Sequence, residues 1–156
     1  MYPRRKRIRL DAGTYATTGT CWHLTFCTEH RRPVLTNTGL ATLLVETLVD
    51  RAQKSRITVL LYVLMPDHVH LVVAVEEDGD VLALVRSVKS IVAVQWLKLG
   101  NSDRLWQRSF HDSGIRTPEK LDELVAYVVN NPVRTGMVDE WDAYPWTGGT
   151  LVEEGM

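Results

Sequence analysis

The stretch Tyr62–Val75, reading Tyr-Val-Leu-Met-Pro-Asp-His-Val-His-Leu-Val-Val-Ala-Val, constrains this chain more than any other. Aliphatic residues lie on both sides of a Met65-Pro66-Asp67 turn, so Ile57–Leu64 and His68–Val75 read as two strands of a β-hairpin. Side chains i and i+2 of a strand share a face. The second strand therefore projects the imidazoles of His68 and His70 together from a surface that is otherwise aliphatic. Imidazoles are costly to bury without partners and are able to bind metals. The chain must supply what these two work with.

A length of 156 residues suits one domain with a proper core. The hydrophobic share of 45% and charged share of 24% are those of a soluble globular protein. No apolar run approaches the roughly 20 residues of a membrane helix. The basic start is followed by no apolar segment and is not expected to be a secretory signal. Cys21 and Cys27 fall on one face of one strand, with no CxxC pair. They are expected to be free thiols in a reducing cytoplasm. A net charge of −1 argues against a protein that coats duplex DNA nonspecifically, but the charge is unevenly placed. Arg4, Arg5, Lys6, Arg7 and Arg9 crowd the start, Arg31 and Arg32 follow the first strand, and acidic residues gather at Glu76–Asp80, Glu119–Glu123 and the C-terminal tail. Such a local basic patch can hold phosphates even when the total is near zero.

Along the chain, residues 1–20 read as an irregular basic arm, 21–147 as a single domain and 148–156 as a tail. Cys21–Thr28 has strand composition. Apolar residues at helical spacing from Leu40 to Ala52 predict an amphipathic helix, starting at Asn37 or Thr38 and reaching Ser55. After the hairpin, Asp80 caps a second helix, Val81–Leu99, ended by Gly100-Asn101. Leu105–Arg116 is expected to hold a fourth strand. Thr117 caps a third helix that has Pro118 in its first turn, runs to Asn131 and is stopped by Pro132. Trp141, Tyr144 and Trp146 are expected to pack back on the domain. The order β-α-β-β-α-β predicts an α+β, ferredoxin-like (RRM-like) antiparallel sheet with both helices on one face, followed by a C-terminal helix that carries Tyr127. The second sheet face is left free as a platform for single-stranded nucleic acid.

Within the last helix, Leu121, Leu124, Val125 and Val128 define the core stripe. At about 100° per residue, Tyr127 and Asn131 fall in one row, so the helix offers a phenol and, one turn on, a carboxamide. Taken singly, each feature also has an ordinary structural explanation: a boundary tyrosine, a helix-stopping Asn-Asn-Pro, a satisfied core histidine.

Together the segments resemble a known family. Tyr62-Val-Leu-Met-Pro-Asp-His-Val-His-Leu-Val-Val is similar to the His-hydrophobic-His (HUH) motif of the IS200-like single-tyrosine transposases. Leu105-Trp-Gln-Arg-Ser-Phe-His-Asp resembles their Trp-Gln segment. Tyr127-Val-Val-Asn-Asn-Pro-Val-Arg-Thr-Gly-Met-Val resembles their Tyr-x-x-x-Asn-Pro-x-(Lys/Arg)-x-Gly-Leu-Val segment. The likeness covers roughly residues 4–147, and Asn four residues after the tyrosine leans toward the REP-associated branch. Asp67 departs from the Asn often found there.

The resemblance implies a metal-dependent enzyme that nicks and joins single-stranded DNA near hairpins. It makes Tyr127 the nucleophile, which forms a 5′-phosphotyrosine. It makes His68, His70 and Asn131 ligands of a divalent metal, Mg²⁺ or Mn²⁺. A free phenol ionises at about pH 10, so it needs a nearby metal or base to attack. For DNA contacts the candidates are Arg4, Arg5, Lys6 and Arg7 with Arg86 and Lys89, and more weakly Arg134. Trp106 and Phe110 are able to stack bases but are expected in the core, and His23, His30 and His111 have no motif support beyond the place of His111 in the Trp-Gln segment. A non-catalytic protein that binds a structured single strand, and a metal-dependent phosphohydrolase, are the rival readings. Whether the chain acts as a monomer or a homodimer is open at this point, and the tyrosine helix could serve its own strand pair or that of a second copy.

Overall fold

The computed structural model describes residues 12–156. Its sheet has five strands: β1 (Cys21–Cys27), β2 (Ile57–Leu64), β3 (His68–Val75), β4 (His111–Ile115) and β5 (Thr147–Gly148). They are ordered β4-β1-β3-β2-β5, and every pairing is antiparallel. The helices are α1 (Thr38–Lys54), α2 (Val81–Lys98), α3 (Pro118–Val129), α4 (Asn131–Arg134) and α5 (Thr150–Glu153). The expected ferredoxin-like order is present, with β5 added as a short edge strand beside β2.

Local chemistry accounts for the helix starts. Asn37, Asp80 and Thr117 each accept a backbone N–H from the first turn of α1, α2 and α3. Pro118 occupies a position in α3 where its missing N–H costs nothing. In β1 the strand period buries Trp22, Leu24 and Phe26 and turns Cys21, His23 and Thr25 to the opposite face. The buried set joins Leu71 and Val73 of β3 and the apolar faces of α1 and α2 in the larger core. Tyr15, in a short 3₁₀ turn, packs its ring against Trp22 and donates to Asp112 of β4.

The second sheet face is not bare, which corrects the expectation. Leu61, Val63 and Val72 form a smaller core there with Val125, Val128 and Val129 of α3 and with Tyr144. The switch that makes this happen is a register shift between Val59 and Leu61. Ile57 and Val59 pack into the larger core, whereas Leu61 and Val63, of the same parity, face α3. An extra residue in one strand of a pair reverses its inside–outside alternation in this way. The C-terminal segment closes over the bulge: Gly149 has φ 115°, and a Cβ there would lie 2.6 Å from the Leu60 carbonyl oxygen. Tyr144 donates its hydroxyl to the Leu64 carbonyl.

Two more boundaries differ from expectation. The fourth strand is confined to His111–Ile115, and Trp106 makes only an isolated bridge to Thr28. The third helix ends at Val129 rather than Asn131, and Pro132 does not stop it but sits in the first turn of α4.

Candidate functional site

The second sheet face is apolar under α3 and polar beside it. On the polar half, β1 and β3 are in register with Thr25 opposite His70 and Cys27 opposite His68. His68 Nε2 and His70 Nε2 converge to 3.2 Å. Asn131 completes the group, its Nδ2 3.3 Å from His68 Nε2. Asn131 arrives from α4, not from the helix of Tyr127, so the expected single row of Tyr127 and Asn131 is corrected. The two lie on successive helices joined at Asn130.

Each histidine is held through its other ring nitrogen. His68 Nδ1 lies 2.7 Å from Asp67 Oδ1, so its N–H donates to the carboxylate and its Nε2 lone pair faces the site. Arg31 Nε donates to Asp67 Oδ2 at 2.9 Å, and Arg31 Nη1 reaches Cys27 Sγ at 3.2 Å. His70 Nδ1 stands 3.0 Å from His23 Nε2 and 3.2 Å from Thr25 Oγ1. Groups of this kind fix the ring orientation and tautomer of ligating imidazoles.

Electrostatics favour neutral rings. Burial pushes the pKa of His68 down, with Asp67 opposing, and burial lowers that of His23. His70 is lowered to about 3, by burial first and then by the positive charge of His68, His23, Arg134 and Arg31. Burial alone would raise the pKa of Asp67, but its hydrogen bonds from His68 and Arg31 hold it below the usual value. Neutral imidazole is the form that binds metal.

The donor set fits a divalent ion. Two nitrogens bound to one ion about 2.05 Å away stand about 2.9 Å apart across an octahedral edge and about 3.3 Å apart at the tetrahedral angle. The observed 3.2 Å lies in that interval. Among the described residues no group of three or more His, Cys, Asp or Glu side chains is placed to hold a metal. The third polar group here is the carboxamide of Asn131.

Tyr127 lies on the solvent side of α3, with 57% of its surface exposed. Burial of Val125, Val128 and Val129, worth about 2 kcal/mol each, sets the rotation of the helix and leaves Tyr127 outside. Its ring is covered by Arg134, whose Cζ is 3.9 Å from the ring centroid. Arg86 and Lys89 are on α2, which packs on the other side of the sheet from the histidines. Lys89 Nζ donates to the Gln107 carbonyl at 2.8 Å. Trp106 is buried in the larger core and donates to the Lys89 carbonyl. Arg4, Arg5, Lys6 and Arg7 lie outside the described residues.

His23 and Thr25 are the site residues that sequence reasoning missed. The signal was present: Trp-His-Leu-Thr places two polar groups at i and i+2, the same pattern that singled out His68 and His70.

With this geometry established, comparison with known proteins is decisive. The profile of the family described as "Transposase IS200 like" matches residues 16–131, most of the chain. The chain belongs to this family. Members are generally metal-dependent. Among solved structures, a REP-associated tyrosine transposase bound to a REP hairpin is similar with a TM-score of 0.73 and 22% identity. That match covers 85% of this chain and 78% of the other. A transposase-like protein from Deinococcus radiodurans R1 is similar with a TM-score of 0.53 and 21% identity, over 73% of this chain and 92% of the other. At these identities the two structures speak to the fold. Nothing among curated protein sequences matches the chain. No helix among the described residues of this IS200-like transposase is long and apolar enough to cross a membrane.

Proposed function

We propose that this chain is a metal-dependent single-stranded DNA endonuclease and strand transferase that cleaves near DNA hairpins. The observation that carries the reading is the convergence of His68 Nε2, His70 Nε2 and Asn131 in a family of transposases. His68, His70 and Asn131 would hold the divalent ion, Mg²⁺ or Mn²⁺, which when bound draws charge from the phosphoryl oxygens under attack.

The chain's own groups do the rest. Asp67 and His23 keep the two imidazoles oriented, and burial keeps the rings neutral. The exposed phenol of Tyr127 attacks the phosphorus, gives up its proton and forms a 5′-phosphotyrosine, while the bond to the 3′-oxygen breaks and a 3′-hydroxyl is released. A covalent phosphoester keeps the strand activated, so a 3′-hydroxyl can attack it and rejoin DNA. Arg4–Arg7 are proposed to add phosphate contacts. The remoteness of Arg86 and Lys89 from the histidines makes them candidates for a duplex or hairpin arm rather than for the scissile strand.

The test is incubation with Mn²⁺ and a hairpin-flanked oligonucleotide. A covalent protein–DNA adduct on a denaturing gel is expected from the wild type and lost in Tyr127→Phe. Tight binding with no adduct on any cognate hairpin would establish the non-catalytic binder instead. Cleavage that survives Tyr127→Phe would mark a phosphohydrolase.

A further inference from the structure

Arg134 makes three contacts at once. Its guanidinium covers the Tyr127 ring at 3.9 Å, Nη1 donates to the Tyr127 carbonyl, and Nη2 donates to Asn131 Oδ1 at 3.4 Å. One of these has an ordinary structural meaning. The Tyr127 carbonyl is among the last four of α3, which lack partners within the helix, and an arginine can cap it. The other two link the aromatic ring to the carboxamide beside the histidines, which capping does not require.

The bond to Asn131 also fixes which way the amide points. A guanidinium has only donors, so the oxygen faces Arg134 and the amide nitrogen faces His68 Nε2. A cation between the two histidines needs the oxygen. Turning the amide to present Oδ1 would point its N–H groups at Arg134, donor against donor. The cation and Arg134 therefore compete for one atom.

We propose that Arg134 is a positioning residue that latches Asn131 to Tyr127, and that a divalent cation at His68 and His70 releases it by taking the Asn131 oxygen. The released Nη2 is a charged donor beside the phenol ring, suited to a phosphate oxygen of the DNA strand. The latch couples metal occupancy to the surroundings of the tyrosine. This inference rests on the metal-site reading above.

The test measures Mn²⁺ affinity by calorimetry, without DNA, in wild type, Arg134→Ala, Asn131→Ala and the double variant. Removing a positive charge near a cation site tightens binding in both backgrounds. Only the latch makes the gain larger when Asn131 is present, with an expected ratio of gains of about fivefold. Equal gains would overturn the proposal. Should Arg134→Ala lose the cap and unfold, Arg134→Met keeps the aliphatic stem against the ring without donors and is read the same way. His70→Ala serves as the reference. If Mn²⁺ binds as tightly there as in wild type, the metal-site reading fails and the latch with it. If binding depends on His70 but the gains are equal, the latch alone fails.

Discussion

His70 is held through Nδ1 by His23 and Thr25 and is almost fully buried, so it has little freedom to change its charge. Its pKa of about 3 in the fold, against 6.5 ordinarily, has a definite sign. The unfolded chain takes up the proton first. Stability is complete above about pH 6.5 and falls as pH drops toward 3, by up to about 1.4 kcal/mol per pH unit for this one group. His68 and His23 are shifted the same way and add to the loss. Urea denaturation in EDTA between pH 6.5 and 5, where few carboxylates titrate, should show a steep loss of stability that is shallower in His70→Asn. The same slope in both proteins would mean that the proton goes elsewhere. His23 is the residue behind His70, and its removal acts through that ring. His23→Ala should weaken Mn²⁺ binding about 10–100-fold, the usual effect of losing a group that orients a ligating histidine. Calorimetry returning the wild-type affinity would make His23 an ordinary surface neighbour.

At the scale of elements, the joint at Asn130 and the bulge at Leu60 decide where the site lies. Helical periodicity correctly identified the buried stripe of the last helix, because Val125 and Val128 recur at the period of one continuous helix. It could not show that the helix ends two residues early. Proline is accepted in the first turn of a helix, so Asn-Asn-Pro encodes a restart as readily as a stop. The hairpin was legible from its turn and its apolar runs. The bulge was not, because Ile57–Leu64 is apolar at every position but Thr58 and Tyr62 and carries no alternation to reverse. An unbroken apolar run suits a strand covered on both faces, the condition the bulge serves, although the second face was expected to be free. Gly149 is where the C-terminal segment meets that bulge. Gly149→Ala combines an unfavourable φ with a close approach to the Leu60 carbonyl. It should lower stability by about 2 kcal/mol, read as a shifted denaturation midpoint at unchanged slope. An unshifted midpoint would show that the segment yields without cost.

For the whole molecule, α4 brings Asn131 to the histidines of its own chain. The sequence posed this as a choice between one chain and two, since nothing in a residue pattern says which copy a helix serves. In this structure the valines of α3 find their apolar partners on the same sheet that carries His68 and His70. Complementation then becomes predictable. A mixture of His70→Ala and Tyr127→Phe proteins should give no DNA adduct, because neither chain holds both halves. Recovery of adduct on mixing would show the tyrosine acting on a partner's strand pair. The sheet's two ends have a consequence of another kind. One edge is the two-residue β5, and the other is the five-residue β4, a largely polar strand with Gly114 inside it. Neither offers a long, sticky border along which a second sheet could grow. Edge-to-edge fibril growth is therefore not expected when the protein is concentrated, and a variant that lengthened β4 with β-branched residues would be the one to watch for insolubility by light scattering.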